Sequence, residues 1–202
     1  QASLKIYHRG QPVELSKRVP ILENMGFRVI SERTFEIGRE TDERMFIHDM
    51  ELESASDRDI DLEDEGELLE EVFLSIWGGQ SDNDEFAGLA QTAKLRARQI
   101  QLIRVYGRFL QQAGIPQSQG YIAAALNRYP DIARGLYQLF EARFDPRLKN
   151  GKVVERHLNA AIKDALGEVQ QIDDDTIIRR LQNLIEASVR TNYFMGGETG
   201  PA

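Results

Sequence analysis

The spacing of apolar residues changes once along this chain, and that change limits the folds open to it. Up to about residue 53, apolar side chains recur mostly at every second position, interrupted by one stretch with helical spacing. From Glu67 to Phe194 they recur every three to four. Period two puts alternate side chains on one face of a strand, and period 3.6 puts them on one stripe of a helix. A chain with its strands first and its helices after reads as α+β, not as the strand-helix alternation of a parallel sheet. The expected architecture is a small β-α-β-β sheet domain followed by a mostly α-helical bundle.

The first part carries specific local signals. LKIYHRG alternates Leu4, Ile6 and His8 against Lys5, Tyr7 and Arg9, as a strand does. GQPVEL forms a loop, Ser16 is a good helix N-cap, and Val19, Leu22 and Met25 follow at helical spacing. Pro20 is tolerable if it lies within about one turn of the helix start. Gly26 supplies a left-handed C-cap, so LENMGFRV turns at once from helix into strand. FRVISERTFEI then places Phe27, Val29, Phe35 and Ile37 on one parity, and MFIHDMELE places Phe46, Met50 and Leu52 on one side. A β-α-β unit followed by an adjacent strand is how ferredoxin-like sheets begin. Gly66 to Trp77 offers a second helix, but no clear fourth strand follows it.

Residues 40–71 hold fifteen acids against two bases, Arg44 and Arg58. The expected divisions are a sheet unit over 1–56, possible completion of the sheet by the helix at 66–77, and an acidic linker over 57–66. A helical module at 67–145, a helical hairpin at 146–194 and a flexible tail at 195–202 follow. Leu69, Val72, Phe73, Ile76 and Trp77 stripe the first helix, and Asp82 or Asp84 can cap the next. The run from Leu95 to Gln112 has two apolar faces, Ile100, Ile103 and Leu110 against Leu102, Val105 and Phe109, as a helix between neighbours would. Ser118 caps the next helix. A helix between Pro130 and Pro146 turns Ile132, Leu136, Leu139 and Phe140 inward. The last two helices, striped by Val154, Leu158, Ile162 and Leu166 and by Ile178, Leu181, Ile185 and Val189, are expected to pair, the second capped by DDDT.

The chemistry is sparse. Net charge is -8 and pI about 5.0, which argues against a nucleic-acid binder. No apolar run approaches the ~20 residues of a membrane span, and there is no Cys, so a cytosolic protein is the default. The initial Gln fits a processed or tagged end, or a piece of a longer chain. His8, His48 and His157 lie in separate elements without metal spacing, and His8 and His48 read as hydrogen-bonded sheet residues. Asp57, Asp59 and Asp61 imitate a calcium loop, but its sixth position lacks Gly. GGETG follows a helix and reads as a tail. Arg143 and Arg147 sit near a helix end that favours cations. Arg104 and Arg108, one turn apart, could clamp an anion or another domain's carboxylate, or simply pair with acids on the surface. No complete set of catalytic, cofactor or metal residues is present.

Several stretches together resemble the large bacterial NAD-specific glutamate dehydrogenases. They are LKIYHRGQPVELSKRVPILENMGFRVISERTFEI, MFIHDMELE, LLEEVFLSIWGGQSDNDEFAGLAQTAKLRARQIQLIRVYGRFLQQAGIPQSQGYI, YPDIARGLYQLFEARFDP and SVRTNYF. The resemblance implies a fragment of a regulatory region, an ACT-like domain plus a helical module, with the catalytic region beginning soon after RTNYF. It implies NAD as cofactor of the parent enzyme and none for this fragment. It also implies other domains and protomers of the same enzyme as partners, and an amino-acid effector at the first strand-helix loop, Arg9, Gly10 and Gln11. A tight loop that binds nothing, within a purely structural helical scaffold, is the alternative.

Overall fold

The computed structural model describes residues 2–38, 44–56 and 58–195. The chain forms two compact units, Gln1–Gln91 and Thr92–Ala202.

In the first unit, β1 (Ala2–Arg9), α1 (Leu15–Asn24), β2 (Phe27–Ile37) and β3 (Met45–Ser54) come in the expected order. The strands make an antiparallel sheet in the order β1-β3-β2. Central β3 buries Phe46, His48, Met50, Leu52 and Ser54 on one face, and α1 adds Ile21 and Leu22 to the same core. Gly26, at φ +87°, takes the left-handed conformation that ends α1, and its carbonyl accepts from Ala55 N–H at 2.8 Å. The N-cap of α1 is Glu14, not Ser16, whose hydroxyl instead donates to Glu14 Oε2 at 3.1 Å. Pro20 is therefore the sixth helical residue, past the first turn. The Ser16 carbonyl it cannot serve belongs to an exposed residue.

β2 departs from simple alternation. Its register against β3 slips between Val29 and Ser31, a bulge at Ile30. An extra residue in one strand inverts the facing of everything after it. Glu32, Thr34 and Glu36 thus pair with Met50, His48 and Phe46 on the core side. Phe35 and Ile37, expected on the parity of Phe27, lie on the opposite face, each 49% exposed.

α2 (Leu62–Trp77) begins inside the stretch expected to be linker. Asp61 caps it by accepting from the N–H groups of Glu63 (3.0 Å) and Asp64 (3.4 Å). Glu63, Asp64 and Glu65 fill the first turn, where the positive helix end favours acids. The acidic stretch, whose charge suits a solvated loop running into a helix start, is helical from Leu62 on. Asp84 caps the following 3₁₀ turn, Glu85–Gly88, which leads into α3 (Leu89–Ala93). The sheet unit continues past residue 56 because Leu69, Val72, Phe73 and Ile76 are buried in it. Gln91 also reaches back to the sheet, its Nε2 donating to Gly26 O at 3.3 Å and its Oε1 accepting from Ser54 at 2.5 Å.

The second unit holds α4 (Ala97–Gln112), α5 (Gln119–Arg128), α6 (Pro130–Phe144), α7 (Gly151–Ala165) and α8 (Ile172–Ala187). Ser118 caps α5 and Ile132, Leu136, Leu139 and Phe140 turn inward as expected. Three expectations fail. α4 buries Ile100, Ile103 and Leu110 but leaves Val105 and Phe109 half exposed, so it has one covered face rather than two. α7 packs more closely along α6 than along α8, which it meets through Gln182 Nε2 donating to Asn159 Oδ1 at 2.9 Å, so the predicted hairpin is not its main packing. Small residues allow this: a Cβ at Gly135 would sit 3.3 Å from Ile162, and one at Gly151 would run into the Ala142 carbonyl. α7 consequently buries only Ile162 and exposes Val154. DDDT does not supply the N-cap of α8, which is Gln171; its acids form the first turn, and Val189 lies beyond the helix end, exposed. Asp174 is fully buried and takes a two-pronged bond from Arg128, at 2.9 and 2.7 Å, which joins α8 to α5. The tail expected from 195 lies outside the described residues except for Met195. The calcium-like stretch is described only in part, Asp57 being outside it.

Candidate functional site

The β1–α1 loop, Arg9 to Gln11, is exposed. Gly10 has φ +95°, its N–H donates to Arg44 O at 2.9 Å, and a Cβ there would meet nothing within 4 Å. His8 Nδ1 donates to Gln11 O at 2.9 Å. Two residues on, Val13 N–H donates to Nε2 of His48 at 3.0 Å. That single donor sets the tautomer, because Nε2 must carry the lone pair and Nδ1 the proton.

From His48 a polar chain runs across the sheet. Nδ1 donates to Thr34 Oγ1 at 2.8 Å, and Thr34 donates on to Glu32 Oε1 at 2.5 Å. Arg18 Nη2 of α1 donates to the same oxygen at 2.6 Å. Arg18 is 2% exposed and His48 not at all, while Glu32 retains some access to water. Arg18 Nε and Nη1 are buried and have no hydrogen-bond partner among the described residues. The bulge at Ile30 assembles this group by turning Glu32 and Thr34 inward.

Burial holds the His48 pKa below its usual value, and the Arg18 charge adds to that despite Glu32. Burial alone would raise the Glu32 carboxyl, but the Thr34 hydroxyl, Arg18 and His48 together outweigh it and lower it. Burial also lowers the Arg18 guanidinium, against the pull of Glu32. Both nitrogens of His48 are engaged and it has no exposed surface, so it is not placed to serve as a general base. The group instead ties the β1–α1 loop and α1 to the sheet.

A pH dependence follows. The unfolded His48 takes up a proton near pH 6.5, whereas the folded one resists until lower pH. Its contribution is therefore complete above about pH 6.5 and is lost as pH falls towards the folded value. Glu32 adds the same sign further into acid. Urea unfolding at pH 8 and pH 5.5 is expected to give lower stability at pH 5.5. His48→Gln is expected to shrink that difference, and an unchanged difference would show that other groups cause it.

In the helical unit Arg104 is 1% exposed and donates to Gln101 Oε1 at 2.6 Å, while Arg108 is exposed one turn on. Arg143 bonds Glu155 and the Glu186 carbonyl, and Arg147 bonds Asp145. The RTNYF segment packs on Phe140, whose ring lies 5.3 Å from Tyr193 and 5.9 Å from Phe194, and Arg98 covers the Tyr193 ring at 4.4 Å. Among the described residues no cluster of His, Cys, Asp and Glu could hold a metal, and no helix is long and apolar enough to cross a membrane.

Sequence reading overlooked Arg18, Glu32, Thr34 and the Arg128–Asp174 pair. An Arg on the inward side of a short helix was the one available signal, since Arg18 precedes Leu22 by one turn.

This fold and its polar anchor define an ACT-like α+β domain joined to a helical module. Family models agree in order along the chain. "Glutamate dehydrogenase, ACT3 domain" matches residues 1–65, and "glutamate dehydrogenase, helical motif 3" matches 81–146. "Bacterial NAD-glutamate dehydrogenase, catalytic domain" matches 161–202. That last match begins before RTNYF, so the catalytic-domain boundary lies earlier than the sequence suggested. The chain is 39% identical over 198 residues to the NAD-specific glutamate dehydrogenase of Halomonas elongata, covering 98% of this chain and 12% of that protein. To the enzyme of that name from Pseudomonas aeruginosa it is 38% identical, covering 99% of this chain and 13% of that protein. For the Mycobacterium tuberculosis enzyme of that name the identity is 31%, covering 96% and 12%. The chain belongs with the bacterial NAD-specific glutamate dehydrogenases, as a segment spanning about an eighth of the relatives' length.

Proposed function

We propose that this chain is the regulatory and assembly region of an NAD-specific glutamate dehydrogenase. The whole polypeptide would oxidatively deaminate L-glutamate to 2-oxoglutarate and ammonia, passing a hydride to NAD bound outside this segment. Its setting is the cytoplasm, and its partners are other domains and protomers of the same enzyme. The observation that carries this reading is the run of three family segments, in order, ending in the beginning of a catalytic domain.

Regulation requires an effector with different affinities for two states of the enzyme. The proposed seat is Arg9, Gly10 and Gln11, where an exposed loop is anchored through Val13 to the buried His48. The helical unit is read as scaffold, since Arg104 is buried and bonded within its own helix. Arg108 is the exposed member proposed for an interdomain or anionic contact.

The test combines two measurements. Glutamate-dependent NAD reduction should appear with the full polypeptide and be absent with residues 1–202. Calorimetry with aspartate, arginine and glutamate should give heat that Gly10→Val removes, because a β-branched side chain is strained at φ +95°. NAD reduction by residues 1–202 would overturn the assembly reading. An absence of heat, with effector response unchanged in the Gly10→Val enzyme, would overturn the sensor.

A further inference from the structure

Two of the family segments meet inside the helical unit. Helices α4, α5 and α6 fall within the stretch matched by the helical motif, 81–146. α8 and the residues after it fall within the stretch matched by the catalytic domain, 161–202. The packing runs across this division. α8 lies against α4, α5 and α6, with Ile177, Ile178, Leu181 and Ile185 buried.

Residues 188–194 follow the last turn of α8 and form neither helix nor strand. A stretch leaving a helix end without a ladder of backbone hydrogen bonds ordinarily frays. Here side chains of α4 and α6 fasten it. Arg143 of α6 donates to the Glu186 carbonyl, in the last turn of α8, at 2.7 Å. Tyr106 of α4 bonds the Ser188 hydroxyl at 2.7 Å. Arg98 of α4 donates through Nη2 to the Tyr193 carbonyl, and its guanidinium also covers the Tyr193 ring. Tyr193 and Phe194 close over Phe140 of α6. Each of these contacts joins a residue of the helical-motif stretch to one of the catalytic-domain stretch. Contacts gathered on one aromatic cluster are lost together, so the segment is either docked or released.

We propose that α4 and α6 form a bed that positions the catalytic domain, with residues 188–194 as the strap and Arg98 as its pin. Arg98, Tyr106 and Arg143 are positioning residues: they fix the direction in which the chain runs on from α8. Arg98 commits both its charge and a hydrogen bond to a single residue outside its own helix, so the strap depends on it more than on any one ring contact. A shift of α4 against α6 moves the strap, and the helical motif thereby has a direct mechanical hold on the catalytic domain. This rests on the reading of the chain as part of a glutamate dehydrogenase.

The experiment uses the full-length polypeptide carrying Arg98→Met, which keeps an apolar stem and removes both the donor and the cation. Trypsin reads the strap, because Arg190 lies exposed within it. Glutamate-dependent NAD reduction reads the catalytic domain. Cleavage after Arg190, identified by the masses of the fragments, is expected to quicken, and kcat to fall by about fivefold or more, the range of ordinary coupling between sites. Arg98→Lys, which keeps a cation for the ring, should recover part of both. Faster cleavage with an unchanged kcat would overturn the proposal and leave the strap as packing alone. Unchanged cleavage would overturn it too, since Arg98 would then not hold the segment. If Arg98→Met does not fold, Tyr106→Phe removes a single hydroxyl and is read by the same outcomes. An unaltered polypeptide that reduces no NAD with glutamate would remove both the enzyme reading and the strap. A fully active variant with its strap released would remove the strap alone.

Discussion

Glu32→Ala is expected to destabilise the sheet unit by about 3–5 kcal/mol, the usual cost of stripping the partner from a buried charge. Arg18 is 2% exposed and its Nε and Nη1 have no partner to fall back on. Loss of the carboxylate would leave the guanidinium in the core with none of its present hydrogen bonds. Thr34 and His48 would lose the acceptor that ends their chain. That is a large share of the ~5–15 kcal/mol that holds a typical domain together. Urea unfolding followed by fluorescence of Trp77, the single tryptophan, reads this unit directly. The double variant Arg18→Met, Glu32→Leu should recover much of the loss, since an apolar pair of similar size often replaces a buried ion pair without penalty. A cost below about 1 kcal/mol for Glu32→Ala would mean that Arg18 reaches water, and would refute the role given to the pair.

Phe140→Ala should have a comparable effect on the helical unit, about 3–5 kcal/mol for emptying a buried aromatic site. Phe140 is 2% exposed and touches the rings of Tyr106, Phe144, Tyr193 and Phe194. Without it, residues 188–195 keep Arg98 on Tyr193 and the 2.7 Å bond between Tyr106 and Ser188 but lose the ring they stack on. A spectral signature separates this from general loosening. Burial raises the Tyr193 hydroxyl pKa well above its usual value, and neighbouring Tyr137 raises it further. In the folded variant Tyr193 should ionise closer to pH 10, visible as earlier tyrosinate absorbance in an alkaline titration. An unchanged titration would show that the segment stays docked without Phe140.

The legible parts of this protein are those where the cause is local. Gly26 ends a helix because it enters φ > 0 without strain, and Asp84 and Ser118 cap the helices they precede. The stripe Ile132, Leu136, Leu139 and Phe140 can only turn inward once the helix forms. β3 reads correctly because its alternation is unbroken from Phe46 to Leu52. β2 does not, because a bulge leaves no mark in composition. One unpaired residue, Ile30, moves Phe35 and Ile37 outward and Glu32 and Thr34 inward. The candidate site was hidden for that reason: its members come from α1, β2 and β3, and only the slipped register brings them together.

Pairing of helices was likewise beyond sequence reach. α7 carries a clear apolar stripe, and a stripe specifies a face without naming the neighbour that covers it. Gly135 and Gly151 let α7 approach α6 closely, Val154 stays at the surface, and Arg128 of α5 holds α8 through Asp174. Sequence alone determined the α+β class, the order of elements, most of the core and the family, because periodicity, caps and ordered motifs act within a few residues of one another. Tertiary structure decided the inverted half of β2, the buried Arg18–Glu32–His48 group and the closest neighbour of α7. Each of these depends on which distant surfaces meet, and a linear pattern records what a segment can bury but not what it is buried against.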